Sequence, residues 1–191
     1  MQDSSRNVLI ENNNISTGDD HIAIKSGLSD AKHTTARDKY PAFVTRNVTV
    51  RNNLMHVGMG VSIGSETSGS IEEILIENNT VGLCAKGDNC NLSSYHPWDP
   101  TSGPSCATGM CGWNAGLHVK TTLQRGGRIQ GVMFRNNTVS ANFSCISLIT
   151  NYQAPSVLPV GYPATVIRNI SFIDNTCGAN QVGLHCNAND T

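Results

Sequence analysis

The chain has 191 residues and a formal net charge of −1, with 13 Lys and Arg against 14 Asp and Glu. That length supports one core, and the near-neutral balance leaves no electrostatic footprint for nucleic acid. No apolar run approaches the ~20 residues that a membrane-spanning helix needs, so a membrane span is excluded.

In chain order, Met1 to Arg6 is polar and leads straight into a strand, with no polar cap before it. Nothing obvious caps the chain after Cys186 either, so coils are expected to be missing at both ends. The first patterned segment is Asn7-Val8-Leu9-Ile10-Glu11-Asn12-Asn13, and its pattern returns at 47–53, 73–79, 131–137 and 169–175. Five copies at unequal intervals predict a solenoid whose coils carry loops of different length. The aligned Asn runs through Asn13, Asn53, Asn79, Asn137 and Asn175. A tight bend is the expected setting, where each amide bonds its own backbone and the Asn of the next coil.

After each Asn a second short strand is predicted, at 21–25, 60–64, 117–121, 145–149 and 182–186. Alternation directs Ile22, Val61 and Leu117 inward as one stack and Ile24, Ile63 and Val119 as the next. The intervening residues point outward, so Ala23, Ser62 and His118 form one row and Lys25, Gly64 and Lys120 another. Small side chains flanked by cations suit an acidic sugar chain. The sequence thus predicts one all-β domain over 1–191, a parallel β-helix. Helix is poorly supported because β-branched residues fill the periodic segments while Asn and Gly punctuate them.

The strand at 21–25 is entered through Gly18-Asp19-Asp20-His21. Adjacent residues on a flat strand face opposite sides, so Asp19 and Asp20 share a site only if the backbone turns sharply, as Gly18 permits. Paired carboxylates are the working parts of most sugar-cleaving enzymes. Residues 82–116 form a Gly-, Pro- and Ser-rich insertion containing Cys84, Cys90, Cys106 and Cys111, expected to be pinned by disulfides in an oxidising compartment. A zinc site with His96 is the weaker alternative, since no Cys-x-x-Cys spacing occurs. Trp98 and Trp113 within it are expected to pack the loop, with sugar stacking as the other reading. Cys145, Cys177 and Cys186 have no pairing readable from spacing. Glycosylation sequons at Asn14, Asn47, Asn78, Asn91, Asn136, Asn142, Asn169 and Asn189 fit a secretory route, although several coincide with the Asn-Asn-Thr turn.

Three segments together resemble glycoside hydrolase family 28, the polygalacturonase family. They are Ser16-Thr17-Gly18-Asp19-Asp20-His21-Ile22-Ala23-Ile24-Lys25-Ser26-Gly27, Gly58-Met59-Gly60-Val61-Ser62-Ile63-Gly64-Ser65-Glu66, and Leu117-His118-Val119-Lys120-Thr121-Thr122 with Arg125-Gly126-Gly127. The resemblance implies a right-handed, single-stranded β-helix of the pectin-lyase-like kind and inverting hydrolysis of pectic polysaccharides. It makes Asp19 the acid that protonates the leaving oxygen and Asp20 part of the base. His118 and Lys120 become the clamp on the substrate carboxylate, Lys25 is expected to bind substrate from its place in the outward row, and no metal or organic cofactor is expected. A secreted, monomeric enzyme of the cell wall or extracellular space is expected.

Three departures accompany it. The family's additional Asp, in an Asn-Thr-Asp triplet, falls just before Met1 by spacing. Met59 stands where typical members carry His in Gly-His-Gly, and a thioether neither donates a proton nor holds a charge. His118-Val119-Lys120 replaces the family's Arg-Ile-Lys, and a histidine is a weaker, pH-dependent prong than a guanidinium. Two rivals follow: an impaired member that binds pectin without cleaving it, and a calcium-dependent pectate lyase, which needs a larger carboxylate cluster.

Overall fold

A computed structural model describes residues 2–17, 19–27, 43–56, 58–82, 115–122, 125–140, 144–152, 164–178 and 182–185. Among them the regular elements are all strands, and no helix is long and apolar enough to cross a membrane. The strands are β1 (Gln2–Asp3), β2 (Arg6–Glu11), β3 (Asn14–Ile15), β4 (Ile22–Lys25), β5 (Thr45–Arg51), β6 (Leu54–Met55), β7 (Val61–Ile63) and β8 (Ile71–Glu77). They continue with β9 (Thr80–Val81), β10 (Ala115–Lys120), β11 (Arg128–Arg135), β12 (Thr138–Val139), β13 (Ser144–Ile149), β14 (Val166–Ile173), β15 (Thr176–Cys177) and β16 (Val182–His185).

Every third strand pairs in parallel, giving sheets ordered β1-β4-β7-β10-β13-β16, β14-β11-β8-β5-β2 and β15-β12-β9-β6-β3. The chain is therefore a right-handed parallel β-helix in which each turn visits three faces. Sequence patterning anticipates two of those faces. The third consists of two-residue strands, too short to show an alternation.

Apolar side chains stack inward from all three faces. Ile22, Val61 and Leu117 are in register, as are Ile24, Ile63 and Val119. Opposite them run Val48, Ile74 and Val132, then Val50, Ile76 and Phe134. The third face contributes Met55, Val81 and Val139. All of these are buried, and each such side chain contributes roughly 1.5–3 kcal/mol of burial free energy. Phe134 stacks on Phe172 of the next coil at 4.7 Å.

The bends are built by the Asn pairs. The first member, Asn12, Asn52, Asn78, Asn136 or Asp174, takes a positive φ of 52–58°, which Asn and Asp tolerate better than other side chains. The second member forms a continuous ladder. Asn53 Nδ2 donates to Asn79 Oδ1 at 2.9 Å, Asn79 Nδ2 to Asn137 Oδ1 at 3.0 Å and Asn137 Nδ2 to Asn175 Oδ1 at 2.9 Å. Each of these amides also donates to a carbonyl of the preceding coil, Ile10 O, Val50 O and Ile76 O in turn. Asn13 joins at the first coil, donating to Asn53 Oδ1 at 2.9 Å.

A disulfide joins Cys145 on β13 to Cys177 on β15, with a Cα separation of 5.4 Å. It ties the fourth coil to the fifth, a pairing that spacing alone left open. The four insertion cysteines, His96, Trp98, Trp113 and Cys186 lie outside the described residues.

Candidate active site

The site sits on the sheet containing β4, β7 and β10. Its entry corner is held by backbone bonds: the Met59 N–H donates to Asp19 O at 2.9 Å, and Thr17 Oγ1 donates to the same carbonyl at 2.7 Å. Next to it, the His21 N–H donates to Gly60 O while the Gly60 N–H returns a bond to His21 Nδ1, both at 2.9 Å. His21 is thereby consumed in holding β4 to β7, and Met59 contributes its backbone. Gly58 has φ +149°, and a Cβ there would meet His21 Nε2 and Thr17 Oγ1 at 2.6 Å. The corner therefore closes only on glycine. Gly18, credited with the bend on sequence grounds, lies outside the described residues.

This corner separates the two carboxylates. Asp19 is exposed, with its Oδ1 accepting the Asp20 N–H at 2.8 Å. Asp20 turns inward over the sheet, where Ser62 Oγ donates to its Oδ1 at 2.6 Å and Lys120 Nζ donates to its Oδ2 at 2.8 Å. The ion pair is largely withdrawn from water, with side-chain exposures of 9% for Lys120 and 11% for Asp20. Removing one partner from so buried a pair typically costs about 3–5 kcal/mol, because the other charge is left uncompensated.

Register supplies this meeting across 100 residues of sequence. Ala23, Ser62 and His118 are in line on adjacent strands, as alternation predicts. Gly64 lies between Lys25 and Lys120, and a Cβ on it would fall 1.9 Å from the Lys120 carbonyl oxygen, so the coils touch there only through glycine.

The row differs from expectation in being covered. His118 is 1% exposed and Ser62 0%. The Tyr152 ring meets His118 edge-on at a centroid distance of 6.3 Å and lies 5.0 Å from Lys120 Nζ. Burial, and secondarily the Lys120 charge, lowers the His118 imidazole to about 3. It is therefore a neutral group near physiological pH, where the sequence suggested a pH-dependent cationic prong. Lys25 and Lys120 flank Gly64, and each is ion-paired, Lys25 with Glu66 and Lys120 with Asp20. Burial pushes the Glu66 carboxyl up, but the hydrogen bond and charge of Lys25 outweigh it and hold the group below the usual range.

Tyr152 ties the candidates together. Burial pushes its phenol up, and the negative charges of Asp20 and Asp19 push it further, with Lys25 and Glu66 also within its field. All five predicted residues thus lie about one ring, Asp19, Asp20 and Lys25 through charge and His118 and Lys120 through contact, and Glu66 joins them through charge. Tyr152, Ser62 as a carboxylate anchor and Glu66 as the partner of Lys25 were not identified by sequence reasoning. Ser62 and Glu66 lie within the segment Gly58 to Glu66 and were accessible by register. Tyr152 follows β13 and carries no local signal.

The site therefore presents one exposed carboxyl group, one carboxylate held by an ammonium and a hydroxyl, and an aromatic wall. A carboxylate has about four lone-pair positions, so two donors leave Asp20 able to accept a hydrogen bond from a water.

Residues 2–88 match the family model for Glycosyl hydrolases family 28. The chain is 36% identical over 89 residues to an endo-polygalacturonase of Pectobacterium carotovorum subsp. carotovorum, covering 44% of this chain and 19% of the relative. An endo-polygalacturonase of Pectobacterium parmentieri matches with the same identity and coverage. A polygalacturonase of Ralstonia nicotianae is 28% identical over 130 residues, 68% of this chain and 17% of the relative. The chain thus spans about a fifth of the length of the curated relatives it matches. No solved structure gives a significant match.

Proposed function

We propose that the chain, whose residues 2–88 match the family model for glycosyl hydrolases family 28, carries the acid–base centre of an enzyme that hydrolyses pectic polysaccharides with inversion. Relatives named polygalacturonase support that substrate class. The observation that carries the reading is the Asp20–Lys120 pair with Asp19 exposed beside it. In this reading the Asp19 carboxyl gives its proton to the glycosidic oxygen as the C1–O bond breaks. Water adds to C1 from the opposite face and passes its proton to Asp20, the geometry required for inversion.

Lys120 and Ser62 fix the Asp20 carboxylate so that it needs no reorientation during the reaction. Lys120 and Lys25 border the sugar-binding surface, with Tyr152 as the wall beside Lys120 and the buried His118 supporting that wall from beneath. No metal or organic cofactor takes part, and the enzyme works as a secreted monomer. Elimination in the manner of a pectate lyase needs a cluster of metal-binding carboxylates, and among the described residues no three His, Cys, Asp or Glu side chains are grouped to hold a metal ion.

A second reading, a member that binds pectin without cleaving it, draws support from Met59 at the position typically held by histidine. Replacing Asp19 with Asn separates the two. Reducing-end release from oligogalacturonides should fall by about 10²-fold or more, the scale of general acid catalysis, while binding persists. Unchanged turnover would reject the assignment of Asp19, and binding without turnover in the unaltered protein would establish the second reading.

A further inference from the structure

His21 stands between the acidic doublet and β4 and is 7% exposed. Its N–H donates to Gly60 O, and its Nδ1 accepts the Gly60 N–H at 2.9 Å. The ring edge, Cε1 and Nε2, lies where a side chain on Gly58 would have to go. A backbone N–H only donates, so Nδ1 must carry a lone pair, and the ring proton is assigned to Nε2 on the strength of that bond. An imidazolium carries N–H at both nitrogens. Protonation therefore sets donor against donor at this contact, and turning the ring over presents only C–H there. Packed against Gly58, the ring cannot swing aside while the corner stays closed.

The segment that this bond fixes places both carboxylates. Met59, next to Gly60, donates its N–H to Asp19 O at 2.9 Å. Ser62, two residues on, donates from Oγ to Asp20 Oδ1 at 2.6 Å. We propose that His21, within the hydrolase reading on which the inference rests, is a proton-sensitive latch on the Asp19–Asp20 corner. Neutral, it accepts the Gly60 amide and holds both aspartates in place; protonated, it releases them. Histidine suits the role because its ordinary titration falls at about pH 6.5. The charged and titratable groups on the elements packed about it are Asp19 and Asp20 beside it in the chain, Lys120 reaching Asp20 from β10, the Lys25–Glu66 pair at the far end of β4, and His56 before Gly58. The Gly58–Gly60 segment itself brings none. His21 is a positioning residue in this account, acting through the backbone that carries Met59 and Ser62.

Two variants and two readouts test the latch. His21→Asn keeps an acceptor oxygen near the position of Nδ1 but does not titrate, whereas His21→Phe keeps a ring without an acceptor. In the unaltered protein the Gly60 amide resonance should shift with pH in step with the His21 ring signals, and that inflection should vanish in the Asn variant. On oligogalacturonides, the acid limb of the kcat profile should lie at lower pH for the Asn variant than for the unaltered protein. The Phe variant should lose kcat at every pH, by up to about 10²-fold, the scale of a misplacement of about 1 Å, with KM little changed. A Gly60 resonance that ignores the His21 titration, or acid limbs that coincide, overturns the latch and leaves the hydrolase reading standing. No turnover by the unaltered protein overturns the hydrolase reading, and the Gly60 titration then still decides whether the imidazole latches the corner. Should the Phe variant not fold, the Asn comparison and the Gly60 resonance decide the matter.

Discussion

Burial at 1% exposure, aided by the charge of Lys120, holds the His118 imidazole at about 3 against an ordinary 6.5. Between those values the unfolded chain binds the proton that the folded chain refuses, so stability falls as pH drops from 6.5 toward 3. Glu66, whose folded value lies below 4.5, adds its own loss only at lower pH. The window between 6.5 and 4.5 therefore separates His118 from Glu66. His118→Asn is expected to flatten the pH dependence of the urea midpoint in that window. An unchanged slope would show that the imidazole is not excluded from water. At this scale the sequence was legible in residue type and face, since alternation put His118 and Lys120 on one side. Its charge state was not, because that depends on Tyr152 arriving from the following coil.

At the scale of the coil, the Asn ladder holds successive bends in line and the corner glycine lets the Asp19–Asp20 turn close. Asn79 is 1% exposed and bonds Asn53, Asn137 and the Val50 carbonyl. Asn79→Ala strands those partners and should cost roughly 2–4 kcal/mol, given about 1–3 kcal/mol for an unsatisfied buried group. Asn13→Ala, at an exposed rung, should cost well under half as much. Urea denaturation of both variants checks the contrast, and equal losses would contradict the ladder as a buried feature. Gly58→Ala forces a Cβ against His21 and Thr17. It should lower activity more than stability, because those two residues position the Asp19–Asp20 corner. The repeated Asn and the alternating strands were readable in sequence since both recur at fixed offsets. The short third face was not, because a two-residue strand has no period to detect.

Across the whole molecule, stacking converts positions far apart in sequence into neighbours, and the Cys145–Cys177 bridge fastens the last coils together. Closing a loop of 32 residues contributes about 3–4 kcal/mol in the chain-entropy account. Reduction should therefore lower the thermal midpoint while far-ultraviolet dichroism of the folded protein stays β-type. The fold, a column of parallel coils, followed from the repeat. The proposed chemistry rests on the acidic doublet and the resemblance it anchors, whereas the pairing of Lys120 with Asp20 and of Lys25 with Glu66 came from the structure. The most direct measurement of the central claim is proton NMR of the first products formed from a defined pectic oligosaccharide. Asp19 and Asp20 acting as acid and base on opposite faces predict that the new reducing end appears first in the anomeric configuration opposite to that of the cleaved bond. Initial appearance of the same configuration would contradict the account.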